Sequence, residues 1–329
     1  MRPPRQTIAS LADGPGGKPG LVLLVGLAGL GLATVLAFAA PLGWPFELFT
    51  HFRAQYAVAA ALIAMLLLFV RRPGAAAVAG VLAALHALPA LQRTFADDPV
   101  AACDGPAFTV ATVNLQYSNH DTSRFLDWLA RNPADLVVLQ EVTGAWAGAL
   151  SQVSGYPQQK LLVREDAYGI GVMSRRPLRS IEWRDFAGDG RPSLSGGLVI
   201  EGRPVRFLAL HARWPVLPGL AASRDRSLDA AAASLRAGDG PAAVLGDLNL
   251  TAYSPVFARF LESAGLRDAS EEPRWSPTWM AAFWPLAIRI DHVLVTPDLC
   301  VEHVEVGPSI GSDHRPVIAR LRLSSPAIR

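Results

Sequence analysis

Six short stretches place acids, amides and imidazoles where a strand-like apolar run stops. Asn114 ends TVN, Glu141 follows VVLQ, and His211 follows LAL. Asp247 and Asn249 stand two apart in GDLN, Asp291 precedes His292 in RIDHV, and Asp313 precedes His314 in GSDHRP. Each has an ordinary reading alone, because Asp and Asn favour turns and caps and a single histidine is often only a satisfied core residue. As a set they are the parts of metal-assisted phosphoester hydrolysis. Oxygen donors such as Glu141 suit Mg2+ or Mn2+ rather than zinc, and the Cys/His spacing of a structural zinc site is missing. Strand alternation through GDLN predicts Asp247 and Asn249 on one face. A carboxylate there aligns a water, and a carboxamide holds an oxyanion or fixes the carboxylate. An Asp beside a His keeps the imidazole cationic against a phosphate. Alternation in RIDHV turns His292 away from Asp291, which makes His292 structural.

These residues need strands to carry them. AFTVATVNL (107–115), DLVVLQEV (135–142), YGIGVMSR, AAVLGDLNL, IRIDHVLV, VEHVEVG and RPVIARLRL read as strands, and GLVIEG with RPVRFLALHA as a hairpin turning at Gly202–Arg203. Helices are predicted after an N-cap at Asp121, with Phe125, Leu126 and Leu129 on one face, and over SRDRSLDAAAASLRAG up to Gly238. A third follows with Pro255 in its first turn. Many strands with interleaved helices predict an α/β sandwich with helices outside the sheets. The polar residues recur at strand ends, where loops converge.

The ordered series N…QE…H…GDLNxxxxSP…RIDHV…GSDHRP resembles the endonuclease/exonuclease/phosphatase superfamily over residues 107–323. The resemblance implies a four-layered α/β sandwich of the deoxyribonuclease-I-like type and a divalent-metal-dependent phosphodiesterase or nuclease. It implies that Glu141 is the main metal ligand, with Asn114 contacting metal or phosphate and Asp313 helping to coordinate. Asp247 aligns the water with support from Asn249, His211 contacts phosphate, and His314, oriented by Asp291, binds the scissile phosphate. One position departs from the pattern: some family nucleases carry an Asp where this chain has Gln116. Arg213, Arg224 and Arg289 are further phosphate-binding candidates.

The N-terminus has a different character. The chain of 329 residues is 51% hydrophobic, and the excess sits in charge-free runs at 21–40, 54–70 and 74–91, which predict transmembrane helices. A cleaved signal peptide is the alternative for 21–40. Arg2, Arg5 and Lys18 before the first run, and Arg71–Arg72 before the third, orient the N-terminus to the cytoplasm. Three crossings put the large domain on the non-cytoplasmic side of a bacterial inner membrane; if the third run does not cross, it is cytoplasmic. The N-terminal architecture resembles a YafD-like membrane-anchored branch. Residues 1–20 read as a disordered tail and 92–106 as a linker.

From residue 93 onward there are 24 basic and 26 acidic residues, without the basic balance of a duplex-binding module. The expected partners are a phosphoester substrate, nucleic acid or phospholipid, and the lipid bilayer; no protein partner is inferable. A catalytically silent binding module on the same fold is the non-enzymatic alternative. The aromatic stretch WSPTWMAAFWPLAI (275–288) reads as loop packing or as a substrate lip at a lipid interface. Cys103 and Cys300 are an even pair, compatible with one disulfide or with two separate buried thiols.

Overall fold

The computed structural model describes residues 17–94, 103–270 and 276–324. The chain divides into two compact units, Met1–Ala96 and Asp97–Arg329. The first contains helices α1 (Gly17–Phe38), α2 (Arg53–Phe69) and α3 (Pro73–Thr94). Residues 17–20, expected in the tail, already belong to α1, and the rest of that tail lies outside the described residues. Among the described residues α1 alone is long and apolar enough to cross a membrane; Arg53–Phe69 and Pro73–Pro89 are shorter apolar helices. All three expected spans are helices, and the first has the length and composition of a membrane crossing. Leu67, Ala76 and Ala79 pack among Leu23, Leu27 and Ile63, and Thr34 meets His86 Nε2 at 2.9 Å.

The second unit opens with β1 (Ala107–Asn114), α4 (Ser123–Arg131), β2 (Leu136–Gln140), α5 (Gly144–Leu150), β3 (Gln158–Leu162) and β4 (Ile170–Ser174). It continues through β5 (Leu178–Arg184), β6 (Ser193–Ile200), β7 (Arg203–His211), α6 (Pro218–Arg236), β8 (Ala242–Asp247) and α7 (Pro255–Ala264). It closes with β9 (Arg267–Asp268), β10 (Asp291–Val295), β11 (Leu299–Val306) and β12 (Val317–Leu323). One sheet has the order β11-β12-β1-β2-β4-β3, the other β5-β6-β7-β8-β10-β9. Alternation explains the layers. Phe108, Val110, Leu136 and Val138 from one sheet meet Phe207, Ala209, Ala243 and Leu245 from the other in the central core. The opposite faces are covered by α4 and α5 through Phe125, Trp128 and Trp146, and by α6 and α7 through Leu228, Phe257 and Phe260. The result is a four-layered α/β sandwich, as expected.

Each sheet holds one parallel pair, β1 with β2 and β7 with β8. Parallel neighbours need a long crossover, supplied here by α4 and α6. Both members of each pair therefore end at the same edge, which brings Asn114 beside Gln140 and His211 beside Asp247.

Local chemistry sets the boundaries. The Asp121 carboxylate accepts the Ser123 N–H at 3.1 Å at the start of α4. Ser254 Oγ accepts the Val256 N–H at 3.1 Å, and Gly265 ends α7 in the left-handed region. The β6–β7 hairpin turns at Glu201–Gly202, both with positive φ, one residue earlier than expected, as a two-residue turn of mirror-image type requires. Residues 103–106, expected in the linker, are tied to the sheet: Gly105 N–H donates to the Leu323 carbonyl at 3.2 Å. Cys103 and Cys300 form a disulfide, with Cα atoms 6.1 Å apart. The rest of that linker beyond residue 94 lies outside the described residues.

The close approach of β8 to β7 depends on Gly246, whose φ is 154° and where a Cβ would strike the Leu210 backbone carbonyl. Gly246→Ala is expected to cost about 1–3 kcal/mol by overpacking and to lower the thermal unfolding midpoint of the full chain in detergent; an unchanged midpoint would contradict this account.

Candidate active site

The site lies at the edge where both parallel pairs end. On β7, β8 and β10 the residues His211, Asp247 and Asp291 are direct register partners, so they form one rank across the sheet. The opposing sheet contributes Asn114 at the end of β1 and Glu141 just past β2, where a φ of 63° turns the chain. Asn114 Nδ2 donates to Glu141 Oε1 at 3.0 Å and to Asp247 Oδ2 at 3.1 Å. Its Oδ1 accepts the Gln116 N–H at 3.0 Å, which fixes the amide orientation. Asn114 thus meets the centre with its nitrogen, a bridge between the two carboxylates.

Asp247 Oδ2 lies 3.6 Å from His211 Nε2 and 3.7 Å from His314 Nε2. Asp291 Oδ2 pairs with His314 Nδ1 at 2.8 Å. Asn249 lies beyond β8, so alternation does not place it. Its N–H caps Asp247 Oδ1 at 2.9 Å, its φ is 50°, and its Nδ2 donates to the Ala212 carbonyl at 2.9 Å. The turn expected of GDLN is present, and it closes on the Asp247 carboxylate. His292 points into the helical layer, between Asp268 at 3.0 Å and the Leu250 carbonyl at 2.8 Å.

Asp313 lies near enough to Glu141 to push the latter's pKa up. Trp279 Nε1 donates to Asp313 Oδ2 at 3.1 Å, and the departing residue Gln116 accepts the Asp313 N–H at 3.0 Å. Arg213 donates to Asp189 Oδ2 at 2.6 Å. Arg224 is buried in α6 and paired with Asp225 at 2.8 Å, and Arg289 donates to Ser276 Oγ at 3.2 Å. The Arg289 charge also acts on Asp291. Three positioning residues escaped the sequence reading. Ser312 Oγ donates to the Asn114 carbonyl at 2.8 Å and accepts the His314 N–H at 3.0 Å. Thr278 Oγ1 accepts the Asp291 N–H at 3.1 Å. Trp279 had been read only as packing or lip. Ser312, inside GSDH, was the one with a local signal; Trp275 lies outside the described residues.

Burial and mutual charge divide the roles. Burial pushes the Glu141 carboxyl up, against the Tyr117 N–H and the Asn114 amide. Burial and neighbouring Asp291 push Asp247 up to about 6, against His314 and His211. Burial works against charge on His314 too, but Asp291 prevails and raises the imidazole to about 10. Burial also opposes charge on Asp291, yet His314 holds it below the ordinary carboxylate range. Burial pushes His211 down. At neutral pH the site therefore pairs a cationic His314 with a neutral His211.

Asp247, Asp291 and His314 offer ligand atoms within 4.8 Å of one another. Asp291 and His314 already neutralise each other, which leaves Glu141 and Asp247 as carboxylates whose charge burial opposes. A hard divalent cation fits that donor set.

The His314 pair has a pH signature. Its native pKa of about 10 lies above the ordinary 6.5, so its stabilisation is complete below 6.5 and is lost as pH rises through 10. In Asp291→Asn the His314 titration midpoint, followed by NMR of the ring protons, is expected to fall by about 1–3 pH units. An unmoved midpoint would remove Asp291 as the cause.

Comparison with known proteins agrees with this geometry. Residues 111–314 match the Endonuclease/Exonuclease/phosphatase family. No match is found among curated proteins. Among solved structures, D. rerio TDP2 complexed with a single-strand DNA product is 17% identical with a TM-score of 0.56, over 66% of this chain and 99% of that one. Sphingomyelinase C from Streptomyces griseocarneus is 21% identical with a TM-score of 0.51, over 65% and 99%. A family protein from Bacteroides thetaiotaomicron is 19% identical with a TM-score of 0.56, over 68% and 100%. At these identities the structures share the fold; the match over 111–314, carrying the site from Asn114 to His314, means that the chain belongs to the endonuclease/exonuclease/phosphatase family.

Proposed function

We propose that the second unit hydrolyses a phosphoester with Mg2+ or Mn2+ and is anchored to a membrane by the first. The observation that carries this reading is Asp247, set between His211 and His314 and joined through Asn114 to Glu141. Glu141, with Asp313, would hold the cation, which when bound supplies positive charge against the phosphate oxygens. Asp247 orients the attacking water and draws off its proton, and Asn249 keeps the carboxylate in place through its N–H. His314, kept cationic by Asp291, stabilises the charge that develops on the phosphoryl oxygens. Neutral His211 contacts the phosphate beside Asp247, while the Asn114 amide holds the Glu141 and Asp247 carboxylates in place.

The nucleic-acid and phospholipid readings share this chemistry, as the DNA-bound TDP2 and the sphingomyelinase among the similar structures illustrate. Phospholipid is favoured by the apolar α1 and by Phe283 and Trp284, which are 52% and 71% exposed in the loop after Trp279. The Cys103–Cys300 disulfide supports an oxidising, non-cytoplasmic location of the second unit.

The test is the full chain in detergent with Mg2+ or Mn2+ on bis(p-nitrophenyl) phosphate, DNA, RNA and sphingomyelin. Asp247→Asn and His314→Gln are each expected to lower kcat by at least about 100-fold in chains that still unfold cooperatively, and EDTA to abolish turnover. Full activity in both variants would overturn the mechanism, and absence of turnover on every substrate would favour the silent binding module. For topology, alkaline phosphatase fused after Arg329 is expected to be active and a cytoplasm-dependent fluorescent fusion dark; the reverse pattern would put the second unit in the cytoplasm.

A further inference from the structure

A group of side chains beside His211 is left without an explanation by this mechanism. The Tyr168 ring lies 5.8 Å from the His211 ring. The Arg191 guanidinium lies over the face of Tyr168, and Arg213 stands 6.0 Å from the same ring centre. The surrounding groups are pinned. Asp166 takes a two-pronged pair from Arg164 at 2.8 and 2.6 Å and the Tyr168 N–H at 2.9 Å. Asp189 takes Arg213 Nε and the Ser223 hydroxyl. The turn before Arg191 is closed by Asp185, which accepts the Asp189 and Gly190 N–H groups at 3.1 and 2.8 Å.

Arg164 and Arg213 thus each have a carboxylate. Arg191 makes no ion pair among the described residues, and its Nη1 is buried without a hydrogen-bond partner. Burial and the nearby Arg213 charge pull its pKa down to about 10, against the attraction of Asp166, whose oxygens are taken up by Arg164. A buried donor left unmade and a cation next to another cation are both unfavourable, and one anion relieves both. With its face on Tyr168, the guanidinium has Nη1 left for an acceptor such as a phosphate oxygen.

We propose that Arg191 and Arg213, set across the ring of Tyr168, form an anion subsite beside His211 that takes a second phosphate group of the substrate. This rests on the phosphoesterase reading for the scissile group and adds a selectivity for substrates that carry another phosphate next to it. The second phosphate can belong to a nucleotide or to a phosphorylated lipid headgroup, since the recognising chemistry is the same.

The test uses the full chain in detergent with Mn2+ and two substrate pairs: TpT against 5′-phosphorylated pTpT, and phosphatidylinositol against phosphatidylinositol 4-phosphate in mixed micelles. The phosphorylated member of one pair is expected to have a kcat/KM higher by about tenfold or more, the scale of one charge-assisted contact. The pair that shows the preference identifies the source of the phosphate. Arg191→Gln should erase that preference, mainly through KM, and Arg191→Lys should keep part of it. No preference in either pair, or one unchanged in Arg191→Gln, overturns the subsite.

A second arm separates this inference from the hydrolase reading. Pyrophosphate is titrated into the same chain in EDTA by calorimetry, and Arg191→Gln is expected to weaken binding about tenfold or more. Equal binding by both proteins overturns the subsite. Weakened binding without turnover of any substrate leaves the subsite standing and removes the hydrolase assignment.

Discussion

Asn114 holds the two halves of the site together through the two hydrogens of one amide nitrogen. Glu141 belongs to one sheet and Asp247 to the other, and Asn114 donates to both. Two buried carboxylates this near each other repel, and burial raises the proton affinity of each. A neutral donor between them satisfies an oxygen on each without adding charge. The Asn114 carbonyl is in turn held by Ser312, whose oxygen also fixes the His314 backbone. The last loop of the site is thereby tied to the end of the first strand, 198 positions away.

The symmetry of the two sheets makes that junction feasible. Each has a single parallel pair joined by a helical crossover, so each sends two strand ends to one edge. Asp291 reaches the edge from the other direction, starting the antiparallel β10 opposite Asp247. Its partner His314 comes from the first sheet's final loop and is raised to about 10 by the pairing. The site thus separates charge by strand geometry: a cationic imidazole is made where an acid faces it at 2.8 Å, and a neutral one where burial dominates.

Much of this was legible in local patterns. Alternation in RIDHV turned Asp291 towards the sheet interface and His292 towards α7, as observed. Other elements had no such signal. β3 and β5 are half-exposed strands, QQKLL and LRSIEWR, whose apolar residues are too few to mark a strand. The α5 segment GAWAGAL is seven residues long, too short for a helical period to show. Three apolar N-terminal runs did become helices, and among the described residues α1 has the length and composition of a span. For Asn249 alternation was the wrong rule, because the strand had ended and a left-handed residue redirected the chain.

Residue type and periodicity by themselves determined which side chains end strands, which faces are buried and where the apolar helices lie, because these follow from neighbours within a few positions. They determined that Asp247 ends a buried strand. Tertiary structure alone decided that Asp247 shares an amide with Glu141, that Trp279 holds Asp313, that Cys103 meets Cys300, and that Arg191 Nη1 is buried without a hydrogen-bond partner. Those outcomes depend on the register and spacing of two sheets, and residues far beyond one helical turn or strand repeat from each other leave no periodic trace of each other in the chain.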